Sequence, residues 1–339
     1  MNQPALPSVD VILPFHRNDH FLRMSVESIL ASSGVKIRLI AIDDRPCGEN
    51  IKWLENVGAE IIRAGGVGYS SALNLGKKFL QSDFVAFQDS DDISHPERLS
   101  LSISKIITEG SDICWSFMLA IDENSSPRAL QSPRFRKLEN FSASLLLGSS
   151  NSNSTWVMRT ELLHNQDVFP ICYASIDWAT SLLNVKNFKY SNVNKYLYFY
   201  RSHSEQMTKS SEYKIEAFKQ LYPLWQKLSD SYNLPHLDIQ LASGVAAPWN
   251  LYSDWGIQSD KWVRTFFKKS LIHGFKDRNS AKILILFRKL KLRAYKLYSL
   301  PAILVLLSLI IRMLFEYPIV DIFQSRIFLR RFLRRNQFI

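Results

Sequence analysis

Three carboxylates lie within four residues at Asp89, Asp91 and Asp92, directly after an apolar run of strand length. Negative charges this close repel one another, so holding them together costs stability unless a cation lies among them. Oxygen ligands suit Mg²⁺ or Mn²⁺ better than Zn²⁺, and such ions usually share their coordination with phosphate oxygens of a substrate. The cluster therefore indicates either a divalent-cation site or a solvated turn in which Asp92, together with Asp89, caps a helix.

The segments on both sides of this cluster predict how it is positioned. Residues 83–87 have the length and composition of a buried strand. Behind the acids, Ser94 and Glu97 have the spacing of a capping box and Pro96 falls in a first turn. We therefore expect a helix that begins directly after the acids and ends near Glu109.

A second pair of acids, Asp43 and Asp44, ends another apolar strand at residues 36–42. Strands alternate with helices from the start of the chain, which predicts an α/β fold with a mainly parallel sheet. Ligands bind outside the carboxyl ends of strands in such sheets, so both acid groups would share one crevice. Two Asp-rich turns are the alternative, because Asp is common in turns.

The remaining elements follow the same alternation. We expect strands at residues 9–14, 60–63, 113–120, 155–159 and 195–200, and helices at 20–31, 51–57, 70–81 and 141–147, with a loop over 122–137. The Gly65–Gly68 turn lacks the Gly-x-Gly-x-x-Gly spacing, and no Gly-Lys-Ser or Gly-Lys-Thr occurs. Dinucleotide-dependent hydride transfer and the phosphate-loop NTPases are therefore excluded.

Two further positions carry groups suited to sugar chemistry. Asp177 stands beside Trp178 at the head of a predicted helix, as a general base next to an aromatic platform for a sugar ring or as an ordinary N-cap. His203 follows an aromatic strand and is a metal ligand, a phosphate contact or an exposed loop histidine. The polar run at residues 149–154 lines a sugar pocket or forms a plain loop.

The order of these motifs resembles the family 2 glycosyltransferases of GT-A fold over residues 8–209. The motifs are Val11-Ile12-Leu13-Pro14, Ile42-Asp43-Asp44, Gly68-x-x-x-Ala72-Leu73-Asn74-x-Gly76, Asp89-x-Asp91-Asp92-Ile93-Ser94-x-Pro96-x-Arg98-Leu99, Asp177-Trp178 and Tyr200-Arg201-Ser202-His203.

The resemblance implies roles for individual residues. Asp177 falls on the catalytic base of the family, and Asp89 and Asp91 fall on its Asp-x-Asp motif, with Asp91 as the direct ligand of Mn²⁺ or Mg²⁺. His203 falls on a histidine near the diphosphate and the metal. The other positions implied for nucleotide-sugar binding are Pro14, Phe15, Asp43, Asp44, Asn74 and Trp178.

Two positions depart from the family pattern. The first loop of the family usually reads Pro-x-Tyr-Asn, whereas here it reads Pro14-Phe15-His16-Arg17. The acid that usually precedes the base is replaced by Ile176, which removes a partner on the acceptor side.

Charge divides the chain. Residues 260–339 contain 18 Lys and Arg against 4 Asp and Glu, while the preceding part contains 24 against 27. The whole net charge of +11 therefore comes from the tail. We expect a GT-A domain at 1–209, with a nucleotide-sugar half at about 8–120 and an acceptor half at about 121–209, then a helical extension at 210–280 and a basic membrane-associating tail at 281–339.

Residues 297–315 form an apolar run long enough to span a bilayer. Basic residues flank it on both sides, however, and positive charge prefers one side of a membrane. The flanks favour an interfacial segment on an anionic membrane surface over a single transmembrane segment. The alternatives are a helical subdomain packed on the core and a nucleic-acid surface, and aliphatic basic helices favour lipid over nucleic acid.

The cysteines and the N-terminus predict location. Cys47, Cys114 and Cys172 form no metal-spaced pair and leave an odd thiol, which suits a reducing compartment. No secretory signal is visible in the first ten residues. We expect a cytoplasmic protein attached to the inner face of the cell membrane.

The leading hypothesis is a metal-dependent, inverting glycosyltransferase that moves a sugar from a nucleotide diphosphate sugar to a glycan or lipid-linked acceptor in surface-polysaccharide synthesis. One alternative is a non-catalytic, membrane-associated scaffold of the same fold, which Ile176 favours. The other is a sugar-nucleotide pyrophosphorylase. That class requires a Gly-rich signature after the first strand, and residues 14–18 contain no glycine.

Overall fold

The computed structural model describes residues 5–17, 19–45, 51–131, 141–147, 151–165, 169–170, 175–206 and 211–233. The expectations for residues 234–339, including the apolar run at 297–315 and the basic tail, fall outside these residues. No helix within the described ranges is long and apolar enough to cross a membrane.

The described strands form one sheet of nine strands. They are β1 Ser8–Phe15, β2 Lys36–Asp43, β3 Glu60–Arg63, β4 Phe84–Phe87, β5 Ile93–Ser94, β6 Ile113–Ile121, β7 Pro127–Gln131, β8 Val157–Arg159 and β9 Tyr190–Arg201. Their order is β3-β2-β1-β4-β8-β6-β9-β5, and β7 pairs with β6.

The described helices are α1 His20–Leu30, α2 Lys52–Asn56, α3 Tyr69–Gly76, α4 Arg98–Glu109, α5 Phe141–Ser144, α6 Glu161–Asn165, α7 Ile176–Asn184 and α8 Ser211–Ser231. Short 3₁₀ turns lie at Lys77–Phe79, Leu145–Leu147 and Asn153–Thr155. Asp19 caps α1 by accepting a hydrogen bond from the Leu22 amide at 3.1 Å.

The first half of the sheet is parallel, as expected. β3, β2, β1 and β4 pair in parallel, whereas β8 joins β4 and β6 in antiparallel fashion and β6 pairs in parallel with β9. Alternation along β1 directs Val9, Val11 and Leu13 into a core shared with α1, α2 and α4. The parallel strands therefore present their carboxyl ends at one edge.

Helix α3 packs against the opposite face of the sheet. A Cβ added at Gly76 would lie 2.9 Å from Ile12 Cγ2 and 3.3 Å from Ile42 Cδ1. Only glycine permits this close approach of the helix backbone to β1 and β2.

Several predicted boundaries differ from the structure. The capping box is wrong, because Glu97 is the N-cap residue of α4 without a side-chain cap, and the short strand β5 lies between the acids and the helix. The Ser94 hydroxyl instead accepts a hydrogen bond from Arg98 Nε at 2.8 Å. Strand β7 occupies part of the predicted 122–137 loop because it forms a hairpin with β6.

Two compact units contain the described residues. One comprises residues 5–131, 151–165, 169–170 and 175–206 and includes the whole sheet. The other comprises α5, the turn Leu145–Leu147 and α8, where the Trp225 indole donates to the Leu146 carbonyl at 3.0 Å. Helix α8 falls in the predicted helical extension, and the domain boundaries at 209 and 280 stay predictions.

Candidate active site

The strand order brings three loops together at one edge of the sheet. β1 lies between β2 and β4, so His16 after β1 is flanked by Asp44 after β2 and by Asp89 and Asp91 after β4. The charges of Asp91 and Asp44 both act on the His16 imidazole, although desolvation and then Arg17 dominate and lower its pKa. The two acid groups predicted from the sequence therefore lie at the same edge of the sheet, close enough for charges from both groups to act on His16.

Asp91 pairs with His203. The His203 Nε2 atom lies 2.8 Å from Asp91 Oδ2, and their side chains are 11% and 29% exposed. The edge of the acid cluster is therefore open to a ligand and already joined to an imidazole.

Asp89 lies deeper and is tied to the second half of the domain. Its Oδ1 atom accepts a hydrogen bond from the Tyr69 hydroxyl at 2.8 Å, and that hydroxyl accepts from Asn153 Nδ2 at 2.7 Å. Burial raises the pKa of Asp89 to about 7, the charges of Asp91 and Asp177 act in the same direction, and hydrogen bonds from Tyr69 and Ser154 oppose it.

Asp92 is fully buried beneath the other two acids. Its Oδ1 atom accepts from the Arg201 amide at 2.7 Å. Burial raises the pKa of Asp92 well above its usual range, and the charges of Asp91 and Asp89 add to this effect. Asp92 therefore supports the loop of residues 88–92, the acid loop, from its buried side and does not face a ligand.

Asp44 holds the glycine-rich turn. Its carboxylate accepts hydrogen bonds from the amides of Gly66, Val67 and Gly68 at 3.0, 2.6 and 2.9 Å. Gly66 and Gly68 have φ values of 88° and 85°, which glycine adopts without strain. Asp44 therefore fixes the turn that leads into α3, whose N-cap residue is Gly68.

Asp43 is buried and paired with arginines. Arg45 donates to both of its oxygens, from Nε at 2.8 Å and from a terminal nitrogen at 3.0 Å, and Arg63 lies 3.5 Å away. Burial alone would raise the pKa of Asp43, but the hydrogen bonds and charge of Arg45 and the charge of Arg63 lower it overall. Asp43 stays ionised and orders the end of β2.

Asp177 lies in the first turn of α7, where its Oδ1 atom accepts from the Trp178 amide at 2.7 Å. Ser175, with φ of 54°, is the N-cap residue, so Asp177 is not the N-cap of the helix. Asp177 is half-buried, and its charge contributes to raising the pKa values of Asp89 and Tyr69, for both of which burial is the largest cause. The Trp178 ring is only 3% exposed and packs inward, so it offers no stacking surface in this conformation.

Three other predicted binding residues have structural contacts in the folded domain. Pro14 and Phe15 are buried at the end of β1, and the Phe15 carbonyl accepts from the Asp44 amide at 2.8 Å. The Asn74 amide donates to the carbonyls of Ser70 and Phe169 at 3.2 and 3.1 Å. Pro14 and Phe15 can therefore meet a nucleotide only through their backbone, and Asn74 ties α3 to the segment ahead of α7.

Sequence reasoning missed Tyr69 as a site residue. Tyr69 lies one residue before the helix predicted at 70–81, and Asn153 is one of several polar residues in the run at 149–154. Their pairing with Asp89 depends on β8 packing beside β4, a long-range contact that no local pattern encodes. The only available signal was the Asn and Ser density at 151–154.

Part of the chain matches a known protein family. Residues 10–166 match the family model for glycosyl transferase family 2. This part of the chain is a family 2 glycosyltransferase domain. The match stops before Asp177 and His203, so the roles of these two residues depend on geometry and on the motif order.

A curated relative of this glycosyltransferase is the O-antigen biosynthesis glycosyltransferase WbnJ of Escherichia coli, which is 24% identical over 223 residues, covering 62% of this chain and 86% of WbnJ. An uncharacterized glycosyltransferase of Haemophilus influenzae is 27% identical over 105 residues, covering 29% of this chain and 42% of that protein.

The fold is also seen in a solved crystal structure. The crystal structure of residues 1–349 of S. aureus TarS in complex with UDP-GlcNAc superposes with a TM-score of 0.54 at 16% identity, covering 86% of this chain and 93% of that one. The predicted GT-A fold is thereby confirmed.

Two side chains of the site are suited to hold a metal ion. Among the described residues, no three His, Cys, Asp or Glu side chains are arranged to hold an ion. The adjacent Asp91 carboxylate and His203 imidazole do offer two ligands at the open edge of the crevice. Two protein ligands are sufficient for Mg²⁺ or Mn²⁺ when substrate phosphates complete the coordination shell, so the residues fit an ion that arrives with a diphosphate.

Proposed function

We propose that this glycosyltransferase moves a sugar from a UDP-sugar to a hydroxyl group of a glycan or lipid-linked acceptor in surface-polysaccharide synthesis, with inversion at the anomeric carbon. The observation that carries the proposal is the grouping of polar side chains from different elements around the loop after β4, where Asp91 Oδ2 lies 2.8 Å from His203 Nε2 and Asp89 Oδ1 accepts from the Tyr69 hydroxyl at 2.8 Å. The UDP-GlcNAc complex of TarS and the O-antigen role of WbnJ support the donor and the pathway.

Asp177 is the proposed general base. A carboxylate at the head of α7, beside the acid cluster, is placed to accept the proton of an acceptor hydroxyl as that oxygen attacks the anomeric carbon. General-base catalysis of this kind contributes about 10²- to 10⁴-fold in rate. The attack comes from the face opposite the diphosphate, and this direction inverts the centre.

Asp91 and His203 are the proposed metal ligands, and Asp89 completes the Asp-x-Asp motif beside them. When bound there, Mn²⁺ or Mg²⁺ acts as a Lewis acid that neutralises the charge gathering on the leaving diphosphate. Asp89, held by Tyr69, faces the donor from the interior side. Asp44 and the glycine turn form the nucleoside end of the crevice.

Attachment to an anionic membrane through residues 281–339 is the sequence-based part of the proposal. It places the active site next to lipid-linked acceptors. Sedimentation of the full chain with vesicles of phosphatidylglycerol, compared with phosphatidylcholine, tests it. We expect binding to the anionic vesicles that falls as salt is raised, because surface charge attraction is screened.

A donor screen tests the enzymatic function. The full chain is incubated with Mn²⁺ and a panel of nucleotide sugars, and release of the nucleotide diphosphate is followed by mass spectrometry. We expect slow hydrolysis of one UDP-sugar, reduced about 10²-fold or more in Asp177→Asn and unchanged in Asp83→Asn, which alters an exposed acid at the other end of β4. Metal-dependent UDP binding without turnover of any donor would instead favour the scaffold.

A further inference from the structure

We propose that Arg201 is the positioning residue of the metal site, fixing the spacing of Asp91 and His203 by binding both the acid loop and the β6–β7 turn. The inference rests on the proposed function and deepens it. Arg201 is the last residue of β9 and is fully buried, so it is not a ligand of the substrate itself.

Arg201 donates two hydrogen bonds to the acid loop. Its Nε atom donates to the Asp91 carbonyl at 2.8 Å, and its backbone amide donates to Asp92 Oδ1 at 2.7 Å. One residue therefore fixes both the backbone of the proposed metal ligand and the side chain of the buried acid next to it.

The other end of the guanidinium binds the turn that follows β6. One terminal nitrogen donates to the carbonyls of Asp122 and Glu123 at 3.1 and 3.2 Å and to the Ser125 hydroxyl at 2.8 Å. The guanidinium also lies 4.4 Å from the centre of the Phe21 ring, with which it makes a cation–π contact. Arg201 thus joins the acid loop to the β6–β7 turn.

The same turn holds the segment that carries His203. The Ser202 amide donates to the Ile121 carbonyl at 2.8 Å, and the Ser204 amide donates to Glu123 Oε1 at 3.1 Å. His203 is therefore fixed on both sides by the turn, while Asp91 is fixed to that turn through Arg201. The 2.8 Å distance between Asp91 Oδ2 and His203 Nε2 therefore depends on the β6–β7 turn, to which both residues are attached.

Lysine cannot replace arginine in this role. The contacts run from Nε to one loop and from a terminal nitrogen to another, which requires the planar fork of a guanidinium. A lysine ammonium keeps the charge near Asp91 and Asp92 but reaches only one of the two partners. Arg201→Lys therefore separates positioning from simple charge balance.

The test measures Mn²⁺ binding directly, by electron paramagnetic resonance of the full chain at saturating UDP, so that it does not depend on turnover. We expect Arg201→Lys to weaken Mn²⁺ binding about 10- to 100-fold, the usual cost of losing a residue that orients a metal ligand. Ser125→Ala removes one contact of the guanidinium and should weaken binding by a smaller factor. Arg38→Lys alters an arginine paired with Asp10 and Glu60 away from the acid loop and should leave Mn²⁺ binding at the wild-type value.

Three results overturn the inference. Wild-type affinity in Arg201→Lys does so directly. If that variant does not fold, as judged by thermal unfolding, wild-type affinity in Ser125→Ala does so instead. An equal loss in Arg38→Lys would show that general destabilisation explains the effect. A wild-type chain that binds no Mn²⁺ with UDP contradicts the proposed metal site itself, so the two failures are distinguishable.

Discussion

The imidazole Nε2 of His203 and the Oδ2 of Asp91 lie 2.8 Å apart although 112 positions separate them in the chain. This pairing joins the loop after β4 to the end of β9. This carboxylate and this imidazole are the two protein ligands of the proposed metal site, whose remaining ligands would come from a diphosphate.

Replacing His203 by alanine removes one of the two ligands. We expect the Mn²⁺ concentration that gives half-maximal UDP binding to rise about 10-fold or more, comparable to the loss of a metal-supporting residue. His164→Ala is the matched control, because His164 is an exposed histidine in the last turn of α6. An unchanged Mn²⁺ requirement in His203→Ala would remove His203 from the metal site.

Replacing Tyr69 by phenylalanine deletes the hydroxyl that bonds to Asp89 and keeps the ring. A hydrogen bond to a charged group contributes about 1.5–3 kcal/mol. We expect kcat/KM for the donor to fall about 10-fold, since 1.4 kcal/mol corresponds to that factor. Tyr190→Phe changes a half-buried tyrosine next to Trp115 instead and should keep wild-type kinetics. Equal kinetics in the two variants would mean that Tyr69 has only a packing role.

The lowered pKa of Asp43 makes the stability of the folded protein depend on pH. Its pKa in the folded protein is lowered, so its stabilising effect is present above the unfolded pKa of about 3.9 and is lost as pH falls through the lower folded value. We expect the unfolding free energy of Asp43→Asn to lie below that of wild type at neutral pH, and the gap to close in strong acid. Urea titrations at several pH values measure it, and a gap that widens in acid would reverse the assigned sign.

The close packing of α3 on β1 leaves no room for a side chain at Gly76. Alanine there would place Cβ 2.9 Å from Ile12 Cγ2, closer than packed atoms tolerate. Overpacking of this kind costs about 1–3 kcal/mol, so Gly76→Ala should lower the unfolding free energy by that amount. Adding Ile12→Val removes Cδ1, which would lie 3.3 Å from the new Cβ, and should recover part of the loss. If Gly76→Ala is as stable as wild type, α3 does not depend on a glycine at this position.

The sequence predicted the parallel half of the fold closely because its signals are local. The apolar runs that became β1, β2, β3 and β4 are separated by helices with clear periodicity, and acids mark two of the strand ends. The antiparallel insertion of β8 between β4 and β6 had no local signal. For that reason the alternation of elements was predictable, whereas the neighbours of Asp89 were not.

In the candidate site, too, some predictions from the sequence agree with the structure and others do not. Asp91 and His203 were proposed as ligands from motif order, and the structure places them in contact. Trp178 and Phe15 have the residue types of stacking platforms, yet both are buried, because their positions in α7 and β1 face the core. Residue type alone does not indicate which side of an element faces the ligand.

Calorimetric titration of the full chain with UDP, with and without Mn²⁺, decides whether the diphosphate binds at Asp91. We expect binding that strengthens when Mn²⁺ is present, a gain that disappears in Asp91→Ala and persists in Asp83→Ala at the far end of the same strand. UDP binding of equal strength with and without Mn²⁺, or a full gain in Asp91→Ala, would contradict a diphosphate site built on Asp91.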